Sequence, residues 1–229
     1  MLKLYGQYRS RAFRVTWLCK ESNIPYEHHN VTINVEGAAC KEPWYAALNP
    51  NQRVPTIDDD GIVMWESAAI NLYLAEKYRS PLWPRDHAGK ARMLQWAFYI
   101  ANDIEQPMIT VMRHRHMLPP EQRIAKLADD TEQQLMPKMK VLEETLAKQR
   151  FFSGEAWGMA DFMVASVTYS MWINKFPLLE KFPKFKAWLD ASVERPAAKD
   201  SSCTPAWLTK KCLRSVCQPV RKMRCERSA

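Results

Sequence analysis

Asn49-Pro50-Asn51-Gln52-Arg53-Val54-Pro55-Thr56-Ile57, continued by Asp58-Asp59-Asp60-Gly61, Ile62-Val63-Met64-Trp65 and Glu66-Ser67, is the stretch whose reading decides the fold. Two short apolar runs, Thr56-Ile57 and Ile62-Val63-Met64, flank an Asp-rich turn whose Gly61 suits a positive φ, the pattern of a β-hairpin. Pro55 withholds a ladder donor and therefore belongs at a strand edge or at a special bond. A cis Val54-Pro55 bond would turn the Val54 N–H and C=O outward, where an extended peptide could pair with them. Beyond the hairpin, Ile70, Tyr73, Leu74 and Lys77 recur at helical spacing, so a helix opens near Glu66-Ser67. Its first turn is an anion site made of free N–H groups and the Ser67 hydroxyl. A strand edge beside a helix N-terminus suits a small peptide that carries a carboxylate.

The composition is that of an ordinary soluble chain, 229 residues long and 47% hydrophobic, enough to fill one large or two small cores. No apolar run approaches the ~18–20 residues of a membrane span, and Met1-Leu2-Lys3-Leu4-Tyr5 enters a strand pattern at once, so a cytoplasmic location without membrane attachment is expected. The net charge of +8 is concentrated at one end: from Ala197 onward eight Lys and Arg stand against two Asp and Glu. The remainder is nearly balanced and carries no nucleic-acid footprint. The cysteines divide in the same way, with Cys19 and Cys40 in the body and Cys203, Cys212, Cys217 and Cys225 in the tail, where no C-x-x-C pair marks a zinc site.

Leu2–Tyr5 reads as a strand, Gly6–Ser10 as a loop and Arg11 to about Asn23 as a helix with Ser10 at its N-cap. Pro25 prevents the helix from resuming, and Tyr26–Val31 supplies a second strand. His28 and His29 alternate across that strand, so they share no metal. A short helix carries Lys41 and Trp44. Arg79–Asp86 is a proline-bounded linker, after which no strand pattern appears. Met93, Trp96, Ala97, Ile100, Ile104 and Met108 trace one long helix ending before Pro119-Pro120, with the basic Arg113–His116 at its C-terminal end. Ile124 to Leu146 trace a second helix. Phe151-Phe152-Ser153-Gly154 and Trp157-Gly158-Met159-Ala160-Asp161 read as a capping box with Gly at the cap, so one side-chain bond should be missing. Phe182–Arg195 gives a last amphipathic helix.

Asn49-Pro50, Val54-Pro55, the hairpin and Glu66-Ser67, taken as a set, resemble the glutathione-binding signature of the cytosolic, bacterial serine-type glutathione transferases, and the resemblance extends from Leu2 to about Ala197. It implies an α/β thioredoxin-like domain over residues 1–78, a linker at 79–86, an all-helical domain over 87–197 and a divergent basic, Cys-rich tail over 198–229. It further implies glutathione as cosubstrate, no metal, and a homodimer. Val54, presented by the cis bond to Pro55, would pair with the cysteinyl backbone, Glu66 and Ser67 would hold the γ-glutamyl end, and Arg53 would meet the glycyl carboxylate. Asp103 would reach the glutathione of the partner subunit. Ser10, four residues before Arg14, would donate its hydroxyl to the sulfur and favour the nucleophilic thiolate. Tyr5 and Tyr8 are its rivals for that role. The pocket for a small hydrophobic electrophile would lie among Tyr8, Arg11, Met108 and Met112. The implied activity is conjugation of glutathione to small apolar electrophiles; the alternatives are a non-catalytic binding or regulatory module on the same fold and a glutathione-dependent peroxidase.

Overall fold

The computed structural model describes residues 1–7 and 10–201. Of the expectations above, those for Tyr8 and for positions 202–229 of the tail lie outside the described residues.

The chain opens with β1 (Leu2–Tyr5), α1 (Ala12–Glu21), β2 (Tyr26–His29), a 3-10 turn at Ala39–Lys41 and α2 (Pro43–Leu48). The hairpin β3 (Thr56–Asp59) and β4 (Ile62–Trp65) then leads into α3 (Ser67–Lys77). The four strands form one sheet in the order β2-β1-β3-β4, with β1 parallel to β2 and both remaining pairs antiparallel. Leu4 faces His28 on one side and Ile57 on the other, so the apolar face of the sheet meets α1 and α3. Helix α1 ends where Asn23 takes a φ of 52° and the Ile24 N–H reaches back to the Cys19 carbonyl, with Pro25 next. Gly6 allows the end of β1 to pass the start of α1, because a Cβ there would sit 2.6 Å from that of Ala12.

Among the described residues no strand follows Trp65, apart from an isolated bridge between Phe151 and Gly154. Helices α4 (His87–Tyr99), α5 (Glu105–Met112), α6 (Ala125–Lys148), α7 (Met159–Ile173), α8 (Pro183–Val193) and α9 (Pro196–Ser201) make up this half. No described helix is long and apolar enough to cross a membrane. The single long helix expected from the spacing of Met93 to Met108 is instead widened at Ile100–Ile104 and again at Arg113–Met117, where the turns are π-helical. Pro107 accounts for the first of these. It has no N–H to offer Asp103, and its ring would collide with that carbonyl in a regular helix, so the preceding turn opens.

One apolar core runs through both halves, from Leu4, Ile57, Ile70 and Leu74 to Met93, Phe152 and Phe162. Aromatic rings of α1 meet those of α7, with centroids 4.2 Å apart for Phe13 and Tyr169 and 5.5 Å apart for Trp17 and Phe162. Polar ties reinforce the seam: Arg195 donates both Nε and Nη2 to the Glu21 carboxylate at 2.7 and 2.8 Å. Helix α3 is tied to the sheet by the buried Asp59, which accepts from Tyr73, Lys77 and Tyr78.

The start of α7 corrects one expectation. Asp161 accepts from the N–H groups of Phe152, Ser153 and Gly158 and from the Trp188 indole, as a capping acid should. The bond expected to be missing is nevertheless made, because Ser153 Oγ accepts the Asp161 N–H at 3.4 Å. A Cβ at position 158 would lie 2.9 Å from that same oxygen. Ser153 thus occupies the space in which a cap side chain would stand. Ser153→Gly should lower stability by about 1–2 kcal/mol in urea unfolding. Gly158→Ser alone should also destabilise, whereas the two changes together should recover much of the loss; a double variant no better than the worse single one would refute the exchange.

Candidate active site

The loop between α2 and β3 is built on a small buried network. The Tyr45 hydroxyl donates to the Arg53 carbonyl at 2.6 Å and lies 2.8 Å from Thr56 Oγ1, while Asn49 Nδ2 reaches the same two oxygens at 2.8 and 3.1 Å. Asn49 Oδ1 in turn takes the Asn51 N–H. These bonds hold the chain on either side of Val54-Pro55, whose peptide bond is cis. No backbone hydrogen bond takes up the N–H or C=O of Val54 among the described residues.

On the other side stands the first turn of α3. Glu66, which precedes it, has a φ of 76°, a left-handed conformation that costs a non-glycine residue about 1–3 kcal/mol and that tertiary packing must sustain. Glu66 is exposed and Ser67 buried. Arg14 from α1 donates Nη1 to Ser67 Oγ at 3.2 Å and also grips the Glu105 carboxylate, at 3.1 Å through Nη1 and 2.9 Å through Nη2. Arg11 adds its Nε to Glu105 at 2.5 Å. Burial by itself would raise the Glu105 pKa, but the Arg14 and Arg11 guanidinium groups outweigh it and hold the carboxyl below the ordinary range.

These parts enclose a cavity of about 220 Å³. Its wall brings together Arg53, Val54, Pro55, Glu66 and Ser67, five of the residues singled out from sequence, with Arg11 beside them. Glu105, Asn102 and Gln106 complete it from the helical half. The widened turn before Pro107 is what delivers them, and sequence reasoning missed all three. Pro107 within an otherwise helical pattern was the available signal. Arg53 is exposed and its guanidinium forms no ion pair among the described residues, so it is open to a carboxylate.

Ser10 is half-buried at the start of α1. Its hydroxyl donates to the Gln7 carbonyl at 2.6 Å and accepts the Ala12 N–H at 3.1 Å, so its proton is engaged within the loop. Tyr5 stacks on His29 with ring centroids 4.8 Å apart, and burial raises its pKa, which leaves it outside the cavity wall and a poor proton source. Asp103 is ion-paired with Lys138 of α6 at 3.1 Å and is not part of the wall in this chain. Met108 and Met112 do not line an open pocket: they are 0% and 2% exposed and belong to the core that α5 shares with α6 and α7. An apolar residue at helical spacing meets a neighbouring helix more often than a ligand. Cys19 is buried, which pushes its thiol up to about 12 and removes it as a nucleophile. Among the described residues no cluster of His, Cys, Asp or Glu could hold a metal ion.

The N-terminal domain model of glutathione S-transferases matches residues 1–76 and the C-terminal domain model matches residues 103–196, together well over half of the chain. The chain belongs to the glutathione S-transferase family. Among curated transferases it is 27% identical over 203 residues to glutathione S-transferase GstB of Escherichia coli K12, covering 87% of this chain and 96% of that protein. It is 28% identical over 212 residues to mouse glutathione S-transferase theta-1, covering 87% and 85%. The theta-class glutathione S-transferase of Xanthomonas axonopodis pv. citri, solved with glutathione bound, superposes with a TM-score of 0.78 at 26% identity, covering 89% of this chain and 98% of that one.

Within this glutathione S-transferase the Arg14–Glu105 pair joins the two halves beside the cavity that Glu105 lines. Glu105→Ala should cost about 3–5 kcal/mol in equilibrium unfolding at pH 7, since it leaves Arg14 buried and uncompensated. The folded pKa of Glu105 is depressed, so its contribution is present above the unfolded carboxyl pKa of about 4.3 and is lost as pH falls through the folded value. The stability gap between wild type and the conservative Glu105→Gln should therefore shrink progressively below about pH 4. A gap that stays constant down to pH 2 would show that the ion pair contributes nothing.

Proposed function

We propose that this chain conjugates the thiolate of glutathione to small apolar electrophiles, as a serine-type member of its family. The observation that carries this reading is the single cavity in which the unpaired Val54 backbone, the N-terminus of α3 with Ser67, and the open Arg53 guanidinium converge. The three are the partners an extended tripeptide needs at its centre and at its two charged ends. Val54 pairs with the cysteinyl backbone, Ser67 and Glu66 take the γ-glutamyl end, and Arg53 takes the glycyl carboxylate.

Ser10 rotates its hydroxyl from the Gln7 carbonyl to the glutathione sulfur when the tripeptide is in place. The S–H bond breaks, the proton passes to water, and the sulfur attacks the electrophilic carbon held beside it; the C–S bond forms as the bond to the leaving group breaks, and in an aryl halide the halide departs to solvent with the bonding pair. In the functional homodimer, Asp103 of each subunit reaches the glutathione of the other. Support for such a dimer comes from β4, an edge strand with Ile62, Val63 and Trp65 exposed, and from α4, which exposes Leu94 and Phe98. Apolar side chains of this size suit burial against a second copy.

A second reading is favoured by one observation. With its proton committed to Gln7, Ser10 leaves the chain equipped to bind glutathione without activating it, as a non-catalytic module would.

Steady-state turnover of an activated aryl halide with glutathione distinguishes the two. On the transferase reading, Ser10→Ala lowers kcat roughly 10- to 100-fold, and Ser67→Ala raises KM for glutathione roughly tenfold with kcat retained. Calorimetric binding of glutathione with no turnover would establish the module instead. No binding at all would remove both.

A further inference from the structure

We propose that Arg11 acts on the glutathione sulfur directly, its guanidinium being the cation that holds the thiolate, while Glu105 and Arg14 act as positioning residues that fix it in place. The inference rests on the glutathione reading above and deepens it. At the start of α1, the residue that lines the cavity together with Val54 and Pro55 is Arg11, not Ser10. Arg11 uses Nε alone, on Glu105, and its two terminal nitrogens have no partner among the described residues. Its side chain is 36% exposed, open enough to meet a ligand but anchored at one edge.

The charges around it favour an anion. Glu105 is shared by two guanidinium groups, so the Arg11–Glu105–Arg14 cluster carries one net positive charge at the cavity wall. The other charged groups of the wall, Arg53 and Glu66, offset each other. Glu105 is kept ionised by its two arginines and stays a fixed anchor at neutral pH. A guanidinium is weakly hydrated and suits a large, polarisable anion such as a thiolate. A cation within about 4–6 Å lowers the pKa of an acid by about 1–3 units, which would carry a thiol from about 8.5 to near neutrality. A serine hydroxyl adds a hydrogen bond but no charge. When glutathione binds, the S–H bond breaks heterolytically, its electron pair stays on sulfur opposite Arg11, and the proton leaves to solvent.

The test is a pH titration of the ultraviolet absorbance of thiolate on the full chain saturated with glutathione, with affinity measured separately by calorimetry. Wild type, Arg11→Gln, Arg11→Lys and Ser10→Ala are compared. The proposal expects the thiol midpoint of Arg11→Gln to rise by about one pH unit or more with glutathione still bound. Arg11→Lys, which keeps a charge against Glu105, should hold most of the depression. Ser10→Ala should retain a midpoint clearly below that of free glutathione, and this arm decides the matter even if Arg11→Gln does not fold. Arg11→Gln with the wild-type midpoint would overturn the proposal. So would a loss of affinity in Arg11→Gln with the midpoint unmoved, which would make Arg11 a carboxylate clamp, or a Ser10→Ala midpoint equal to that of free glutathione. Failure of wild type to bind glutathione would instead defeat the reading on which the proposal rests.

Discussion

A carboxylate buried between two guanidinium groups is stable only if both bonds are well made, because each ion taken out of water costs several kcal/mol. Glu105 meets that condition by holding Arg14 through two bonds and Arg11 through a third. Arg14 belongs to α1, Arg11 immediately precedes it and the acid belongs to α5, so the condition can be met only when the sheet-containing half and the helical half are docked. Arg14 also reaches Ser67, which ties the first turn of α3 to the same point. The Glu105 side of the cavity wall, the seam between the halves and the orientation of α3 are therefore one electrostatic arrangement, with the aromatic contacts of Phe13 and Trp17 supplying the apolar area around it.

The cavity illustrates how backbone and side chain divide the work. Val54 contributes through its peptide groups, and what places them is a network one layer below, in which the Tyr45 hydroxyl and the Asn49 amide satisfy the Arg53 carbonyl and the Thr56 hydroxyl. Every polar atom of that layer has a partner, so nothing in it competes for a ligand. The left-handed backbone at Glu66 belongs to the same economy: local strain is accepted where the chain must turn from β4 into a helix that opens at the cavity.

Most of the fold could be read from the sequence because its signals are local. The hairpin shows in Thr56-Ile57, Gly61 and Ile62-Val63-Met64, the end of α1 in Asn23 and Pro25, and the start of α3 in Glu66-Ser67. Arg53, Val54 and Pro55 were legible for the same reason, since three adjacent residues define one loop. Glu105 was not. It stands 91 residues from Arg14, and no pattern of neighbours marks a carboxylate that finds its partners only after two halves dock. Met108 and Met112 show the converse error, because helical spacing reports that a residue faces something and not whether it faces a ligand or another helix. Arg11 was expected beside an electrophile, but it lines the cavity of Val54 and Ser67, and its anchor on Glu105 left no mark in the sequence.

The exchange between Ser153 and Gly158 carries a consequence for how such sequences diverge. The oxygen that caps α7 occupies one place in space, yet it can be supplied from either of two positions on the chain. Passing from one arrangement to the other by single steps goes through a chain with two oxygens in a space fit for one, or through a chain with none. Each single step is expected to be penalised, so the two arrangements are separated by a barrier that only a paired change crosses. A cap that looks lost when one position is inspected alone has only changed its owner.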